Sequence, residues 1–341
     1  IARCNMFLRT AERVMLVAGV FKAYTFDELF ENVKALPWED LLPKNAEFPV
    51  KKASSVNSKL FSPSDIQSIV KKAVVDRLRQ KYGDVWFAED GDVYPIRVFI
   101  NKDEVTVALD TTGESLHKRG YRQKSVAAPV SETLAAALIM LTPWKKDRIL
   151  VDPFCGGGTF PIEAAMMAAN IAPGMNRAFT AEKWENVISK RAFYDAADEA
   201  YDLMDTDIET QIQGYDIDDD AVKLARIHAE NAGVEKFIHF QRRDVKDLSH
   251  SKKYGFIITN PPYGERLSER EALPELYRTM GEAFRRLDSW SYFVLTAFED
   301  APSCMGMMPD KNRKVYNGMI KTYFYEFFGE KPPKRKRDDT V

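Results

Sequence analysis

RILVDPFCGGGTFPIEAAMMAAN, residues 148–170, runs from an apolar stretch through three glycines into a second apolar stretch with helical character. RILVDPF reads as a buried strand, and FPIEAAMMAAN as a helix. A strand that turns through glycines into a helix is the repeating unit of an α/β sheet. The pattern spreads outward from it. SETLAAALIML precedes it as a helix. QIQGYDI (211–217), FIHFQRRDV (237–245), YGFIIT (254–259) and SYFVLTAF follow as strands, interleaved with the helices DDAVKLARIHAENAG and LPELYRTMGEAFRRL. VYNGMIKTYFYEFF closes the series as a hairpin. Strands alternating with helices predict a largely parallel, doubly wound sheet, interrupted by a long insertion at 171–209.

In such sheets ligands bind beyond the carboxyl ends of the strands. DPFCGGGT puts Asp152, Phe154, Gly156, Gly158 and Thr159 at one such end. Glycines let backbone approach a ligand, and the helix start offers free N–H groups to an anion. The loop is neither a GxGxxG nor a P-loop. Three glycines beside an acid exceed what a tight turn requires. Cys155 has no base indicated beside it and reads as a small packing residue. On the next strand, GYDID (214–218) ends in Asp216, whose carboxylate suits the two hydroxyls of a ribose, while Asp218 caps the following helix. Asp216 lies much further from the glycines than the ~20 residues of a compact nucleotide unit, and the insertion accounts for the gap. RRDV (242–245) places Asp244 where it can accept from an adenine amino group. An anionic group, a ribose and a purine together describe S-adenosylmethionine. NAD fits the ribose acid but not this glycine loop.

A fourth strand end is less ordinary. ITNPPYGERL (258–267) follows an apolar run with Asn260, Pro261, Pro262 and Tyr263. One proline ends a strand, so two prolines between an asparagine and a tyrosine ask for another reason. The Asn260 side-chain oxygen and a neighbouring carbonyl, held rigid by the prolines, form two acceptors for an exocyclic NH₂. That aims the nitrogen lone pair at a methyl donor, and Tyr263 offers a flat face to an extruded base.

The remaining sequence bounds the setting. Among 341 residues the net charge is −2, so a nucleic-acid surface has to be local. Residues 44–124 carry 15 Lys and Arg against 11 Asp and Glu. HKRGYRQK (117–124) and the tail KPPKRKR (331–337) are dense in positive charge. Cys4, Cys155 and Cys304 are scattered and odd in number, which fits neither a disulfide framework nor a zinc site. A reducing cytoplasm is the expected setting, with no membrane span and no metal. The chain opens at Ile1 without Met, so its natural start is expected upstream.

The front of the chain reads as α+β. CNMFLRTA (4–11) is expected as a strand, followed by amphipathic helices in FDELFENVKALPWEDLL, where Phe26, Leu29, Phe30, Val33 and Leu36 recur at helical spacing. FPVKKASSVN is a strand. SPSDIQSIVKKAVVDRLRQKYG is a helix with a Ser64–Gln67 capping box, stopped at Gly83. YPIRVFIN and EVTVALDTTG pair around Lys102-Asp103.

NPPYGERL, DTTGESLHKRGYR and IEAAMMAANIAPG, with DPFCGGGT, resemble the bacterial THUMP-domain RNA guanine-N2 methyltransferases, the family of the large-subunit 23S rRNA enzyme. The resemblance covers nearly the whole chain. It implies a Rossmann-like class I methyltransferase domain with a mostly parallel seven-stranded sheet at 129–330. It further implies a ferredoxin-like remnant at 1–43, a THUMP RNA-binding domain at 44–115, a linker at 116–128 and a basic tail at 331–341. By the same likeness Asp152, Phe154, Gly156, Gly158, Thr159, Asp216 and Asp244 contact S-adenosylmethionine. Ala128, Pro129 and Val130 flank its methionine end. Asn260, Pro261, Pro262 and Tyr263 hold the guanine, with Asn260 also beside the cofactor. Some members carry a second methyltransferase domain; none is expected here.

Three other readings compete. An adenine-N6 DNA methyltransferase uses the same NPPY logic but should carry a target-recognition domain. Protein-glutamine methylation fits the amide NH₂ but not the basic front end. A non-catalytic RNA-binding or ribosome-assembly protein does not require Asn260, Gly156, Gly158 and Asp216 to be intact.

Overall fold

The computed structural model describes residues 1–83, 86–122, 130–264 and 270–333. The chain divides into two compact units, one made of residues 1–116 and 177–202, the other of residues 117–176 and 203–341.

The first unit contains α1 (Ala2–Phe7), β1 (Met15–Lys22), α2 (Phe26–Ala35), α3 (Trp38–Leu41), β2 (Val50–Val56), α4 (Pro63–Tyr82), β3 (Ile96–Asn101) and β4 (Glu104–Asp110). Its sheet runs β1-β4-β3-β2, so the segments read as separate units, 1–43 and 44–115, contribute strands to one sheet. β2 and β3 are parallel, which requires a crossover, and α4 supplies it. Ile66, Val70, Ala73, Val74 and Leu78 form the buried stripe of α4. Gly83 stops the helix at φ +86°, its N–H donating to the Arg79 carbonyl at 2.8 Å. The β3–β4 hairpin turns on Lys102 and Asp103, both at positive φ, as a two-residue loop that follows strand twist demands.

Two expectations need correction here. Residues 4–11 do not form a strand: Ala2, Asn5 and Met6 are buried at helical spacing in α1, and the strand comes later, at β1. The Ser64–Gln67 capping box is absent as well. Pro63 takes the first helical position, where its missing N–H costs nothing, so Ser62 is the N-cap. Gln67 instead donates its amide to the Val50 carbonyl of β2 at 2.6 Å.

Part of the 171–209 insertion completes this unit. The Trp184 ring is fully buried and stacks on Tyr94 at 4.7 Å with 12° between planes. Its indole N–H donates to the Val93 carbonyl at 2.9 Å. Asn186 accepts from the Tyr94 hydroxyl at 2.7 Å and donates to the Leu41 carbonyl at 3.0 Å. Helix α7 (Lys190–Asp202) follows, and its Glu199 takes a bidentate pair of bonds from Arg3 at 2.7 Å.

The second unit contains α5 (Glu132–Leu141), β5 (Leu150–Asp152), α6 (Thr159–Ala168), β6 (Ile212–Asp216), α8 (Asp219–Asn231), β7 (Ile238–Arg242), β8 (Phe256–Thr259), α9 (Leu273–Arg285), β9 (Ser291–Thr296), α10 (Ala301–Met305), β10 (Lys311–Asn317) and β11 (Ile320–Phe327). Its seven strands run β10-β11-β9-β8-β5-β6-β7. The five from β9 to β7 are parallel, and the closing hairpin β10–β11 is antiparallel. Strand alternation sorts the core into two layers. Phe256, Ile258, Phe293 and Leu295 face α5, α6 and α8. Ile257, Tyr292 and Val294 face α9 and α10. Chain order reverses at β5, which lies between β6 and β8, and that is where such sheets open a crevice. Within the segment read as a linker, Arg119 and Tyr121 are buried, and Arg119 lies 3.4 Å from the buried carboxylate of Glu163.

Candidate active site

The glycine turn is built by the sheet beneath it. The Cys155 N–H donates to the Tyr215 carbonyl of β6 at 2.8 Å, tying the turn to the neighbouring strand. Gly156 sits at φ +49° and donates its N–H to Asp216 Oδ2 at 2.9 Å. Gly158 caps α6 at φ +84°. A Cβ there would lie 3.1 Å from both Ala225 and Phe240, so this glycine serves conformation and packing together. The Gly157 carbonyl accepts from the buried His228 imidazole at 2.9 Å. Cys155 is buried and burial pushes its thiol up, in keeping with a packing residue.

Two acids stand at adjacent strand ends. Asp152, which ends β5, is 1% exposed. Its Oδ1 accepts from the Thr259 hydroxyl at 2.6 Å and the Phe154 N–H at 3.2 Å. Burial raises its pKa to about 7, against those two bonds, and the nearby Asp216 charge adds to the rise. Asp216 ends β6. Each of its oxygens accepts one backbone N–H, from Gly156 and from Asp218 at 3.0 Å, and burial raises its pKa too. A carboxylate has about four acceptor sites, so capacity remains for the two hydroxyls of a ribose. Asp218 caps α8 by accepting from the Asp220 N–H.

Asp244 follows β7 by two residues. It caps its own 3₁₀ turn, accepting from the Lys246 N–H at 3.0 Å and facing the Lys246 ammonium at 3.2 Å. The backbone bond comes first among the causes that hold its pKa below the usual carboxylate range. Phe154 packs its ring against the α9 layer. Thr159 opens α6, and its hydroxyl accepts from Arg122 Nη2 at 2.7 Å.

Beyond β8, Asn260 is half-buried, Pro261 buried, Pro262 exposed and Tyr263 half-buried. Asn260 Oδ1 is buried and has no hydrogen-bond partner among the described residues. The Pro262 carbonyl accepts from the Tyr277 hydroxyl at 3.1 Å. Tyr277 in turn lies 2.6 Å from Thr296 Oγ1, and Thr296 accepts from the Phe298 N–H at 3.0 Å. A phenol has one proton, so the chain has one direction. Phe298 N–H donates to Thr296, Thr296 to Tyr277 and Tyr277 to Pro262. Tyr277 is fully buried, and burial raises its pKa.

The strand ends thus bring together Asp152, Asp216 and the Asn260 turn, with Asp244 on the adjacent β7. Pro129 and Ala128 lie outside the described residues, as do residues 265–267 of GERL and 334–337 of the tail. Thr259, Arg122 and Tyr277 were not singled out from sequence. Thr259 adjoins the NPPY run, Arg122 lies in the basic stretch HKRGYRQK, and Tyr277 lies in the helix LPELYRTMGEAFRRL.

A glycine turn, paired strand-end acids and a rigid Asn-Pro-Pro-Tyr turn on this sheet define a Rossmann-like, S-adenosylmethionine-dependent methyltransferase. The chain belongs to the family described as "RMKL-like, methyltransferase domain", which it matches over residues 119–326, and it carries a THUMP domain over residues 23–110. It is 44% identical to "Putative RNA methyltransferase YpsC" of Bacillus subtilis (strain 168), over 100% of this chain and 89% of that protein. It is 33% identical to "Ribosomal RNA large subunit methyltransferase K/L" of Syntrophotalea carbinolica, over 95% of this chain but 47% of that longer protein. Among solved structures, "SMU.472, a putative methyltransferase complexed with SAH" superposes with a TM-score of 0.90 at 43% identity, covering 97% of this chain and 88% of the other. A protein of Listeria monocytogenes str. 4b F2365, titled a "predicted N6-adenine-specific DNA methylase", superposes with a TM-score of 0.91 at 47% identity, covering 97% and 86%. No helix among the described residues is long and apolar enough to cross a membrane.

Proposed function

We propose that this protein methylates the exocyclic N2 amine of a guanosine in 23S rRNA, in the cytoplasm. The observation that carries the reading is Asn260 Oδ1, a buried acceptor with no partner among the described residues, on a turn whose next-but-one carbonyl is anchored. An unsatisfied buried acceptor costs about 1–3 kcal/mol, and such a cost persists where a substrate supplies the missing donor. An aromatic amine supplies it. Asn260 accepts one N–H, the proline turn presents a carbonyl to the other, and the nitrogen lone pair is left pointing out of the ring plane. Tyr263 stacks on the base. When bound, S-adenosylmethionine supplies a methyl group on a sulfonium, so the chain need only orient the amine. The acceptor nitrogen becomes cationic and then loses its proton to water, so no strong base is required.

In this reading Asp216 receives the ribose of the cofactor and Asp244 its purine, with Asp152, Phe154, Gly156, Gly158, Thr159 and Pro129 around the remainder. The first unit grips RNA. The THUMP match and the names of the relatives support RNA, and the K/L name supports the large ribosomal subunit. The Listeria name favours a second reading, adenine N6 in DNA, because the same acceptors suit either amine. Incubation with radiolabelled methyl donor and either rRNA or DNA, followed by nucleoside analysis, separates them. N2-methylguanosine in 23S rRNA is the expected product, and N6-methyladenine in DNA would overturn the assignment.

A further inference from the structure

A charged cluster at the start of α6 has no part in the scheme above. Arg122 donates through Nη2 to Thr159 Oγ1 at 2.7 Å and to the Val130 carbonyl at 3.3 Å. Its Nε lies 3.4 Å from Glu132 Oε1. The side chains are 18% and 3% exposed. Two valences are left over among the described residues. Arg122 Nη1 makes no hydrogen bond to a described residue and belongs to a partly exposed side chain, while the buried Glu132 Oε2 has no partner there. If the pair served only to tie α5 to α6, it would be an expensive tie. A buried ion pair is worth its desolvation only when the remaining donors and acceptors are satisfied.

The place of the cluster says what could satisfy it. Thr159 is the first residue of the ten-residue α6, directly after the glycine turn, where helix N–H groups and the helix dipole favour an anion. Asp216, the proposed ribose acceptor, ends the neighbouring strand β6, and β7 with Asp244 lies beyond it. A nucleoside that places its base toward β7 and its ribose on Asp216 sends its 5′ substituent the other way, across β5 toward the start of α6. On an S-adenosyl nucleoside that substituent is an amino acid, carrying one carboxylate and one ammonium.

We propose that Arg122 and Glu132 read this amino-acid end: Arg122, with the N-terminus of α6, binds the carboxylate, and Glu132 Oε2 binds the ammonium. The inference rests on the cofactor site proposed above. It makes the pair a specificity device, since a nucleoside without the zwitterion leaves the buried Glu132 Oε2 unmet and gives Arg122 Nη1 no carboxylate.

The test is a binding cycle by calorimetry on the full chain. The ligands are S-adenosylhomocysteine and its decarboxylated analogue, and the proteins are the parent and Arg122→Gln. A charge-assisted bond of about 1.5–3 kcal/mol corresponds to about 10- to 100-fold in affinity. The parent should therefore prefer the carboxylate-bearing ligand by that factor. Arg122→Gln should bind the two alike, with its affinity for the decarboxylated analogue within about threefold of the parent. The same cycle with Glu132→Gln and the deaminated analogue should show the same loss of preference. Equal preference in parent and variants would overturn the assignment. Should Arg122→Gln fail to fold, Arg122→Lys keeps the charge, and its preference should fall without vanishing; an unchanged preference would overturn the assignment. Failure of the parent to bind any of these nucleosides would instead strike the underlying cofactor site.

Discussion

Replacing Asp152 with asparagine should stabilise the unliganded protein, and by more as the pH rises. The carboxyl is 1% exposed and its pKa is raised from 3.8 to about 7, chiefly by burial. In the unfolded chain it ionises near 3.8. Between those values the folded state holds a proton that the unfolded state has released. Folding stability contributed by this group is therefore fully present below pH 3.8 and is lost as pH rises through about 7. A separation of roughly three pH units at about 1.36 kcal/mol each is a loss of about 4 kcal/mol. The Asp152→Asn side chain would keep an oxygen for Thr259 and Phe154 but cannot ionise. Urea unfolding of parent and variant should be compared at each pH from about 4 to about 8.5, so that other titrating groups cancel in the difference. The variant's advantage should grow by about 1.4 kcal/mol per pH unit and level off above about pH 7. A difference independent of pH, or one that shrinks as pH rises, would show that Asp152 ionises as an ordinary carboxyl and refute the reasoning. The charge that costs stability is one that a cationic ligand would offset. Added S-adenosylmethionine should accordingly stabilise the parent more at about pH 8 than at about pH 5, and the Asp152→Asn protein about equally at both.

Asn260→Ala should lower kcat by at least about 100-fold, the loss expected for a positioned hydrogen-bond partner in the transition state, while S-adenosylhomocysteine binds within about threefold of the parent in calorimetry. Tyr277→Phe keeps the packed ring but frees the Pro262 carbonyl, so kcat should fall about tenfold, the equivalent of one hydrogen bond, with cofactor affinity unchanged; a parental kcat would remove Tyr277 from any positioning role. Gly158→Ala forces a side chain into φ +84° with contacts of 3.1 to 3.2 Å to Ala225, Phe240 and Ile162. It should cost about 1–3 kcal/mol in chemical denaturation, through strain and overpacking together.

The sheet of the second unit was legible because its signals are local. Alternating apolar strands, glycine turns and helical stripes each lie within a few residues, and the strand-end acids follow from where those strands stop. Asn260 stood out because two prolines are one more than termination needs. What escaped was tertiary. Arg122 looks like one cation among many in HKRGYRQK, and only the fold brings it to Thr159 and Glu132. Tyr277 keeps a helical period, so nothing in the chain distinguishes its hydroxyl, which reaches back 15 residues to Pro262. The α1 segment is too short for periodicity to separate helix from strand, and burial at Ala2 and Met6 decides it. Gln67 has the right spacing for a capping box, but a stronger claim on its amide comes from β2.

Nor does any local pattern reveal that residues 177–202 serve the sheet that precedes them by more than sixty residues. That discontinuity bears on biogenesis. An N-terminal module made of contiguous chain can close as it leaves the ribosome, but this one still lacks Trp184, the ring that covers Tyr94, when β4 has been made. About 70 further residues must be synthesised before it arrives, a wait of several seconds at roughly 5–20 residues per second. By then β5, the glycine turn and α6 have already emerged. The two halves are therefore not separable cassettes. A gene cut after residue 116 would leave Tyr94 without the ring that stacks on it, and recombination that moves the front end to another enzyme must carry this excursion along.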